Sequence, residues 1–365
     1  MRAAVVRERS GPFVIEELRE PVARAGEVLI GVAACGVCHT DLHIHDGSVP
    51  FPLPMVLGHE ISGTILAVGD GVEYLAPGDR VAGAFIMPCG ACAMCRAGRR
   101  ELCEPFFAHN RLHGTLYDGE TRLFDDHGAP VWQYSMGGLA ERAVMPAGGV
   151  AKLPDALPLP DSAIFGCALM TAYGAVVHVA RLLRGERAVV IGAGGVGGSI
   201  IQLARTLGAG QVIAVDVDDE KLGLAAELGA DAVVNAQRLD AVEAVRELTG
   251  GSGAELVFEA IGRPQTVRQA TEAAADGGRV ILVGIAPVGA TAALEITRIV
   301  RRKLQVLGSF GGRPPSDLVA LMEMAVDGRL PFRDRVTHRF ALEDAGRAYE
   351  QLAAGRIRGK AIIEM

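Results

Sequence analysis

The sequence predicts an α/β protein with two domains, one made mainly of β-strands and one built on a doubly wound parallel sheet. Its 365 residues exceed the usual size of a single domain. Residues 187–308 alternate short apolar, β-branched runs with helical patterns, which is typical of βαβ units. Residues 1–150 instead contain short strand-like pieces between clusters of Gly, Pro and Asp. We therefore expect a loop-rich β domain followed by a parallel-sheet domain.

The predicted strands of the second domain are continuous apolar runs, as expected for a sheet that helices cover on both faces. In chain order they are AVVIGAGG, QVIAVD, DAVVN, ELVFEA and RVILVG. The clearest strands of the first domain are EVLIGVAA and ISGTILAVG. The sheet region is followed by a helical pattern at 317–326, an extended VTHRF and the helix-then-strand segment AGRAYEQLAAGRIRGKAIIEM. These segments show no βαβ continuation, so we expect them to rejoin the first domain.

Composition and charge exclude several classes of protein. Half of the residues are apolar and 22% are charged, which excludes a disordered or collagen-like chain. The net charge of −7 disfavours nucleic acid and anionic membranes, and we expect neither as a partner.

Residues 162–180 and 188–204 lack charges, but their glycines and polar side chains favour burial over a membrane span. Charges interrupt MRAAVVRER too early for a signal peptide, which predicts a cytoplasmic protein.

A glycine-rich loop predicts a dinucleotide site. Gly192, Gly194 and Gly197 form G-x-G-x-x-G between a strand pattern and a helical pattern. In that context the glycines allow a tight turn, a close approach to a pyrophosphate and close helix–strand packing. Asp216 ends the next strand, where an acidic residue hydrogen-bonds the adenosine ribose. No arginine follows Asp216 to hold a 2′-phosphate, so the pattern favours NAD over NADP. A glycine-rich turn without a ligand is the alternative.

Four closely spaced cysteines predict a structural zinc site. Cys89, Cys92, Cys95 and Cys103 have the spacing C-x2-C-x2-C-x7-C. Four thiolates at this spacing can surround one tetrahedral Zn²⁺ and leave no open position, so the metal would hold the loop together. Disulfides are disfavoured because thiols stay reduced in the cytoplasm. A set of unligated thiols is the alternative.

Several motifs beyond these two resemble the zinc-dependent alcohol dehydrogenases of the medium-chain dehydrogenase/reductase superfamily. They are GVCHTDLH at 36–43, GHE at 58–60, GCALMTAYG at 166–174 and FEAIG at 258–262, in the family's order along with the cysteine and glycine loops. The resemblance covers nearly the whole chain. It implies a GroES-like catalytic domain at 1–167 and 310–365, and a Rossmann NAD-binding domain at 168–309.

The resemblance implies a catalytic Zn²⁺ held by Cys38, His59 and Cys167, with water or substrate in the fourth position. Glu60 would lie near the metal and replace the water during ligand exchange. Asp41 would hydrogen-bond His59 and select its tautomer. Taken alone, Cys167 in an apolar run is more typical of a packed core thiol, and its GCALMT motif is what favours a ligand. The remaining Cys35, His45 and His178 match no functional position of the family.

The implied reaction is hydride transfer between an alcohol and NAD, which gives an aldehyde or ketone. Zn²⁺ would lower the pKa of the alcohol hydroxyl, and the carbinol carbon would give hydride to the nicotinamide. The proton would leave through the Thr40 hydroxyl, then the cofactor ribose, and then His43 at the solvent edge. Histidine suits this last position because it changes charge near neutral pH.

The resemblance also assigns residues to the cofactor. His39 and Arg358 would face the pyrophosphate, and Thr171 would lie beside the nicotinamide. His39 replaces an arginine of some relatives, so we expect looser NADH binding and faster release. The other positions expected along the dinucleotide are Gly192, Gly194, Gly195, Val196, Gly197, Asp216, Val217, Lys221, Ala260, Ile261, Val283, Ile285 and Phe310.

Substrate and assembly are less closely defined by the sequence. Phe85 matches an aromatic position of the substrate pocket, and Thr40 is bulkier than the serine of some relatives, which favours primary alcohols. Segment 104–136 resembles an insertion of dimeric family members and favours a homodimer over a tetramer. The alternatives are a thiol-adduct dehydrogenase of the formaldehyde type, an aldehyde reductase, and a non-catalytic NAD- and zinc-binding redox sensor. We expect two zinc ions in each chain.

Overall fold

The computed structural model describes residues 1–332 and 335–365, and these divide into two compact units. Unit 1 comprises Met1–Met170 and Arg313–Met365, and unit 2 comprises Thr171–Gly312. The sequence-based boundaries lie three residues away, after residue 167 and after residue 309. A catalytic and a cofactor-binding role for the two units stay predictions.

The first part of unit 1 holds ten strands and three short helices. The strands are β1 (Arg2–Val6), β2 (Phe13–Glu17), β3 (Glu27–Gly36), β4 (Met55–Val56), β5 (Ile61–Val68), β6 (Arg80–Gly83), β7 (Leu123–Phe124), β8 (Pro130–Gln133), β9 (Arg142–Pro146) and β10 (Val150–Lys152). The helices are α1 (His39–His45), α2 (Ala93–Arg96) and α3 (Arg111–His113). Single turns of 3-10 helix lie at Arg100–Leu102 and Ala147–Gly149, a longer 3-10 segment at Asp161–Gly166 and a π-helical turn at Phe106–Asn110.

Unit 2 alternates helices and strands. The helix α4 (Ala168–Tyr173) crosses the boundary between the units, and a π-helical turn follows at Gly174–Val179. The next elements, in chain order, are β11 (Arg187–Ile191), α5 (Gly195–Thr206), β12 (Gln211–Asp216), α6 (Asp219–Glu227), β13 (Ala232–Asn235), α7 (Ala241–Leu248), β14 (Ala254–Glu259), α8 (Pro264–Ala273), β15 (Ala274–Leu282), α9 (Ile296–Arg302) and β16 (Gln305–Gly308). All six strands pair in parallel, in the order β13-β12-β11-β14-β15-β16. This is the strand order of a Rossmann sheet.

Burial explains why the unit 2 strands are apolar throughout. Every residue of β11 and β12 except the first is buried, because helices cover both faces of the sheet. One hydrophobic core runs from Val189 through Ile213 and Val257 to Val280. Asp218 and Asp240 cap α6 and α7 by accepting backbone N–H bonds, which fixes where these helices begin. The predicted parallel α/β domain is confirmed.

The C-terminal segment returns to unit 1. It contains α10 (Ser316–Val326), β17 (Val336–Ala341), a 3-10 turn (Leu342–Asp344), α11 (Ala345–Ala353) and β18 (Lys360–Glu364). β18 pairs antiparallel with β3, placing Ile362 opposite Gly36, and β17 lies parallel to β18. These strands complete a sheet with the order β10-β6-β5-β3-β18-β17, and β9 also pairs with β3. The remaining sheet has the order β2-β1-β4-β8-β7.

One helical stretch has the length and apolar composition of a membrane span. It runs over Asp161–Val179, and 78% of its most apolar window is buried inside the protein. Such burial is typical of a core helix, which passes the same length and composition test.

Candidate active site

Four side chains of unit 1 converge on one point. Cys38, His59, Glu60 and Cys167 each offer a ligand atom, and these four atoms lie within 4.8 Å of one another. Cys38 is the N-cap of α1, directly beyond β3, while His59 and Glu60 immediately precede β5. The antiparallel pairing of β3 with β5 therefore brings these three residues together. Cys167 follows the 3-10 segment Asp161–Gly166, at the start of α4.

The donor set fits a zinc ion. His59 Nε2 and Glu60 Oε2 are buried and have no hydrogen-bond partner within 1–332 and 335–365. Leaving such atoms unpaired costs free energy, so their convergence on two sulfur atoms indicates a site for a cation. Two thiolates and one imidazole suit Zn²⁺, which prefers sulfur and nitrogen ligands in tetrahedral geometry.

The two thiols of the site have opposite pKa shifts. A hydrogen bond between them is the main cause, because it holds one sulfur as the acceptor and the other as the donor. This hydrogen bond lowers the pKa of the Cys38 thiol, which lies well below the ordinary value. It raises the pKa of the Cys167 thiol, which lies well above that value. Burial adds to the second shift and opposes the first. The hydrogen bond between the two sulfurs therefore favours the thiolate of Cys38 over that of Cys167.

His59 and Glu60 lie in a site with excess negative charge. Burial lowers the pKa of the His59 imidazole, but Asp41 and Cys38 outweigh it, and the pKa lies well above its ordinary value. Burial raises the pKa of Glu60 to about 7, against the attraction of Lys360. His59 and Glu60 thus both hold a proton more strongly than the isolated side chains do. A divalent cation would supply the same compensating charge and displace these protons.

Asp41 fixes the tautomer of His59. Its Oδ1 accepts from His59 Nδ1 at 3.0 Å and from the Gly58 N–H at 3.2 Å. A carboxylate accepts hydrogen bonds, so Nδ1 carries the hydrogen and the lone pair of Nε2 faces the thiols. Gly58 makes this geometry possible because its φ is +94° and a Cβ there would come within 2.7 Å of Cys35 Sγ.

Three residues of the site were missed by sequence reasoning. Lys360 donates from Nζ to Glu60 Oε1 at 2.6 Å, and Tyr349 donates its hydroxyl to Asp41 at 2.8 Å. Tyr134 places its ring edge-on to His59, with centroids 5.6 Å apart. A lysine at the head of the apolar strand KAIIE was the only signal for Lys360. The only sequence signal for Tyr349 was its position on the apolar face of α11. No local pattern indicated that Tyr134 belongs to the site.

The predicted proton path follows α1. The Cys38 thiol lies 3.7 Å from the Thr40 hydroxyl oxygen, so this hydroxyl is beside a candidate ligand. Thr40 and His43 are three residues apart on one helix and share a face. His39 is exposed at the start of α1. Arg358 is also exposed, and the pairing of β18 with β3 carries it toward the same end of the sheet.

Aromatic rings surround His59. Phe85 lies edge-on to the imidazole with centroids 6.0 Å apart, and its backbone N–H donates to Gly166 O, next to Cys167. Tyr134 lies on the predicted insertion 104–136, so this segment contributes to the wall beside His59. Arg111, from the same insertion, lies over the Tyr134 ring at 5.3 Å and donates to its hydroxyl.

The four-cysteine loop forms a second candidate metal site. Its Sγ atoms also lie within 4.8 Å of one another. Backbone N–H groups point at the sulfurs: Cys92 N lies 3.3 Å from Cys89 Sγ, and Cys89 N lies 3.2 Å from Cys103 Sγ. Burial would raise the pKa of the Cys92 thiol, but N–H groups of Cys95 and Glu104 lower it to about 7. Burial raises the pKa of the Cys95 thiol to about 11. The loop resembles a closed structural zinc site.

The glycine loop of unit 2 has the geometry of a dinucleotide site. Gly192 has a φ of +97°, and Gly194 caps α5 with open space where its Cβ would be. A Cβ on Gly197 would come within 1.7 Å of Gly192 O, so helix and strand need a glycine there. Asp216 accepts from the Ala193 N–H at 2.7 Å and thereby supports the loop. Its carboxylate keeps further acceptor capacity for a ribose hydroxyl.

The remaining unit 2 residues predicted to contact the cofactor lie at or near the carboxyl ends of its strands. Val217 and Lys221 follow β12, Ala260 and Ile261 follow β14, Val283 and Ile285 follow β15, and Phe310 follows β16. Val217, Ile261 and Ile285 are exposed, which suits a ligand surface at this edge. Gly195 and Val196 open α5, and Thr171 is the first residue of unit 2.

Cys35, His45 and His178, which match no functional position of the family, belong to neither group of candidate ligand atoms. Cys35 is a buried thiol on β3, with its sulfur 3.6 Å from Gly36 O. His45 Nε2 lies 2.7 Å from Gly11 O, and the ring stacks on Phe13. His178 packs edge-on to Tyr173 in unit 2.

Two family models match the chain. Residues 24–155 match the alcohol dehydrogenase GroES-like domain, and residues 195–327 match the zinc-binding dehydrogenase model. Putative alcohol dehydrogenase D of Mycobacterium tuberculosis is 35% identical, over 98% of each chain. S-(hydroxymethyl)glutathione dehydrogenase of Paracoccus denitrificans is 31% identical, over 97% of each chain. The crystal structure of benzyl alcohol dehydrogenase from Acinetobacter calcoaceticus has a TM-score of 0.94 at 31% identity, covering 100% of this chain and 99% of that one.

A GroES-like domain joined to a Rossmann sheet defines a zinc-binding type of dehydrogenase. The chain belongs to the zinc-dependent alcohol dehydrogenase family of the medium-chain dehydrogenase/reductase superfamily. The predicted fold class and the prediction that the protein is an oxidoreductase are both confirmed.

Proposed function

We propose that this protein is an NAD-dependent alcohol dehydrogenase with one catalytic and one structural zinc ion in each chain. The observation that carries the proposal is the convergence of the Cys38 and Cys167 thiols on His59. His59 Nε2 is a buried atom without a hydrogen-bond partner in the described ranges. Two cysteines and one histidine are the protein ligands of alcohol dehydrogenase sites with an open fourth position. The proposed substrate is a small alcohol, or the corresponding aldehyde in the reverse direction.

Bound zinc would lower the pKa of an alcohol hydroxyl, and NAD⁺ would accept the hydride from the carbinol carbon. The chain's own residues prepare this chemistry. As thiolates, Cys38 and Cys167 would neutralise the charge of the cation, and Asp41 holds His59 in the tautomer that could bind it. The rings of Phe85 and Tyr134 exclude water from the side of His59.

Thr40 and His43 supply a path for the proton. The Thr40 hydroxyl lies beside Cys38, where it can accept the proton of the alcohol. His43 shares its helical face, is half-buried and can pass the proton to solvent. A non-catalytic redox sensor would have no use for this pair, so the pair favours an enzyme.

Asp216 supports the use of NAD. Its carboxylate lies at the end of β12, against the glycine loop, and would repel the 2′-phosphate of NADP. His39 and Arg358, exposed in unit 1, are proposed to face the pyrophosphate. The other positions predicted in unit 2 are proposed to line the dinucleotide.

The substrate class is proposed from the pocket wall. Thr40 narrows the space beside Cys38 and supports primary over branched alcohols. Phe85 and Tyr134 suit an apolar or aromatic substrate group, and the structural relative from Acinetobacter calcoaceticus is named as a benzyl alcohol dehydrogenase. The relative named as an S-(hydroxymethyl)glutathione dehydrogenase keeps a thiol-adduct substrate as the second candidate.

A homodimer and a cytoplasmic location complete the proposal. β16 lies at the edge of the Rossmann sheet, and the neighbouring α9 exposes Ile296 and Val300. An edge strand beside exposed apolar side chains supports association with a second copy. The seven cysteines all lie within the described residues and form no disulfide there, which supports a reducing compartment.

Steady-state kinetics test the function. Purified protein is assayed with NAD⁺ or NADP⁺ against aliphatic and benzylic primary alcohols, a secondary alcohol, and formaldehyde with glutathione. We expect the highest kcat/KM with NAD⁺ and a primary alcohol, and at least a tenfold loss on Cys38→Ser. A preference for the formaldehyde–glutathione adduct would favour the second candidate. Activity unaffected by Cys38→Ser would refute the proposed site.

A further inference from the structure

Tyr349 lies behind the candidate catalytic metal site. It is 2% exposed, and its hydroxyl donates to Asp41 Oδ2 at 2.8 Å. The other oxygen of the same carboxylate, Oδ1, accepts from His59 Nδ1 at 3.0 Å. Tyr349, Asp41 and His59 therefore form a continuous buried chain of hydrogen bonds, which ends at His59 Nε2, a buried atom without a partner in the described ranges.

Within the described parts of the chain, the Tyr349 hydroxyl is the one hydrogen-bond donor to Asp41 Oδ2. Oδ1 has two donors, His59 and the Gly58 N–H. Without the hydroxyl, a fully buried carboxylate oxygen would lose its hydrogen bond, which is costly enough to favour reorientation. Rotation of the carboxylate would change the angle at which it holds the imidazole.

The Tyr349 ring is held independently of its hydroxyl. It stacks on Phe13 with centroids 4.9 Å apart and an interplanar angle of 3°. Phe13 in turn stacks on His45, with centroids 5.0 Å apart. Phenylalanine at position 349 would keep this stack of three rings and lose only the hydrogen bond to Asp41. The substitution Tyr349→Phe is therefore a narrow test of the hydroxyl.

We propose that Tyr349 is a positioning residue for the metal ligand His59, acts through Asp41, and slows the loss of the catalytic metal. The inference rests on the proposed function, which places zinc at Cys38, His59 and Cys167. A carboxylate behind a ligating histidine orients the ring and increases its basicity. Losing such support typically weakens metal binding about 10- to 100-fold.

Zinc release from the loaded enzyme measures this effect. Wild type, Tyr349→Phe and the control Tyr74→Phe are mixed with excess colorimetric chelator, and zinc release is followed in time. Tyr74 also donates its hydroxyl in unit 1, but to Ala147 O, outside the hydrogen-bond chain that joins Tyr349, Asp41 and His59. We expect release from the catalytic site to be about tenfold faster in Tyr349→Phe. Release from the four-cysteine loop should be unchanged and serves as an internal reference.

A double-mutant cycle tests whether Tyr349 acts through Asp41. In an Asp41→Asn background, Tyr349→Phe should accelerate zinc release far less than in wild type, because the carboxylate is already absent. Cobalt substitution gives a second measurement, since the visible spectrum of Co²⁺ reports the ligand geometry. We expect Tyr349→Phe to shift the spectrum and Tyr74→Phe to leave it unchanged.

Two failures can be told apart. Wild type with no zinc beyond that of the four-cysteine loop would overturn the proposed function. Wild type that holds both ions, but releases catalytic zinc at the same rate as Tyr349→Phe, would overturn the role of Tyr349 alone. Equal acceleration by Tyr349→Phe in the wild-type and Asp41→Asn backgrounds would also overturn it, because Tyr349 would then act by another route.

Discussion

Lys360 donates its ammonium group to Glu60 Oε1 at 2.6 Å, and both side chains are buried. The same ammonium donates to Val37 O at 3.2 Å, so the lysine ties the end of β3 to the residue beside His59. Glu60 Oε2 is buried and has no hydrogen-bond partner among the described residues. The pair therefore restrains one carboxylate oxygen and leaves the other for the proposed exchange at the metal.

Lys360→Met should strongly destabilise the protein. Removing one partner of a buried ion pair leaves the other charge without compensation, which typically costs about 3–5 kcal/mol. Lys152→Met is the control, because Lys152 pairs with Asp79 on the surface and its side chain is 55% exposed. That change should cost less than about 1 kcal/mol. Urea unfolding of both variants compares the losses, and similar small losses would contradict a structural role for the buried pair.

His43→Gln should lower turnover near neutral pH by about a hundredfold, the range of a lost general base. Higher pH or added imidazole should restore part of the rate, because an external base then removes the proton. His127→Gln is the control, since His127 lies on the surface with its side chain 87% exposed. Turnover of His43→Gln equal to wild type at every pH would remove His43 from the proton path.

Asp216→Ala should narrow the preference for NAD over NADP about 10- to 100-fold, the range of one hydrogen bond to a charged group. The ratio of the two kcat/KM values measures it. Asp276→Ala, a surface change at the pair with Arg302, is the control. Since Asp216 also accepts from the Ala193 N–H, activity with both cofactors should fall. An unchanged ratio would show that Asp216 does not select the cofactor.

The two metal sites should lose zinc separately. Cys167→Ser should remove the catalytic ion and leave one zinc per chain, with most of the thermal stability retained. Cys95→Ser should remove the structural ion and lower the melting temperature, because the metal holds the loop together. Cys35→Ala should keep both ions, since Cys35 lies outside both groups. Metal analysis checks all three variants, and two ions in Cys95→Ser would contradict the structural site.

The ion pair between Glu255 and Arg187 should make stability depend on pH. A hydrogen bond from Arg187 is the main cause that lowers the pKa of Glu255 from 4.5 to about 2. Because the folded-state pKa is the lower one, the pair stabilises the fold above pH 4.5, and this contribution is lost as the pH falls toward 2.

Glu255→Gln measures that contribution. The carboxylate is partly exposed, so we expect a loss of only about 1 kcal/mol at pH 7, shrinking toward zero in acid. Glu247→Gln, an exposed change on α7, should have little effect at either pH. Urea unfolding at pH 7 and in acid checks this prediction. A loss of unfolding free energy that is larger in acid than at pH 7 would contradict the lowered pKa of Glu255.

Short-range patterns predicted most of the fold and part of the site. The four cysteines lie within one short segment of the chain, and so do the glycines at 192–197. Their spacing alone therefore indicates a metal ion for the cysteines and a dinucleotide for the glycines. The strands of unit 2 were recognisable because burial on both faces makes every position apolar. Cys38, His59 and Cys167 were predicted only through family motifs, since nothing local distinguishes a ligand from a packed cysteine or histidine.

By itself, the sequence determined the two-domain α/β class, the glycine loop and the cysteine loop, because hydrophobic periodicity, turn chemistry and ligand spacing act over short stretches of chain. Only the tertiary structure decided which distant side chains support the site. Tyr349 reaches Asp41, and Lys360 reaches Glu60, because the last helix and strand pack against α1 and β3. These hydrogen bonds depend on sheet register and helix packing, which bring together residues some 300 positions apart. No periodic pattern in the sequence indicates contacts between residues so far apart.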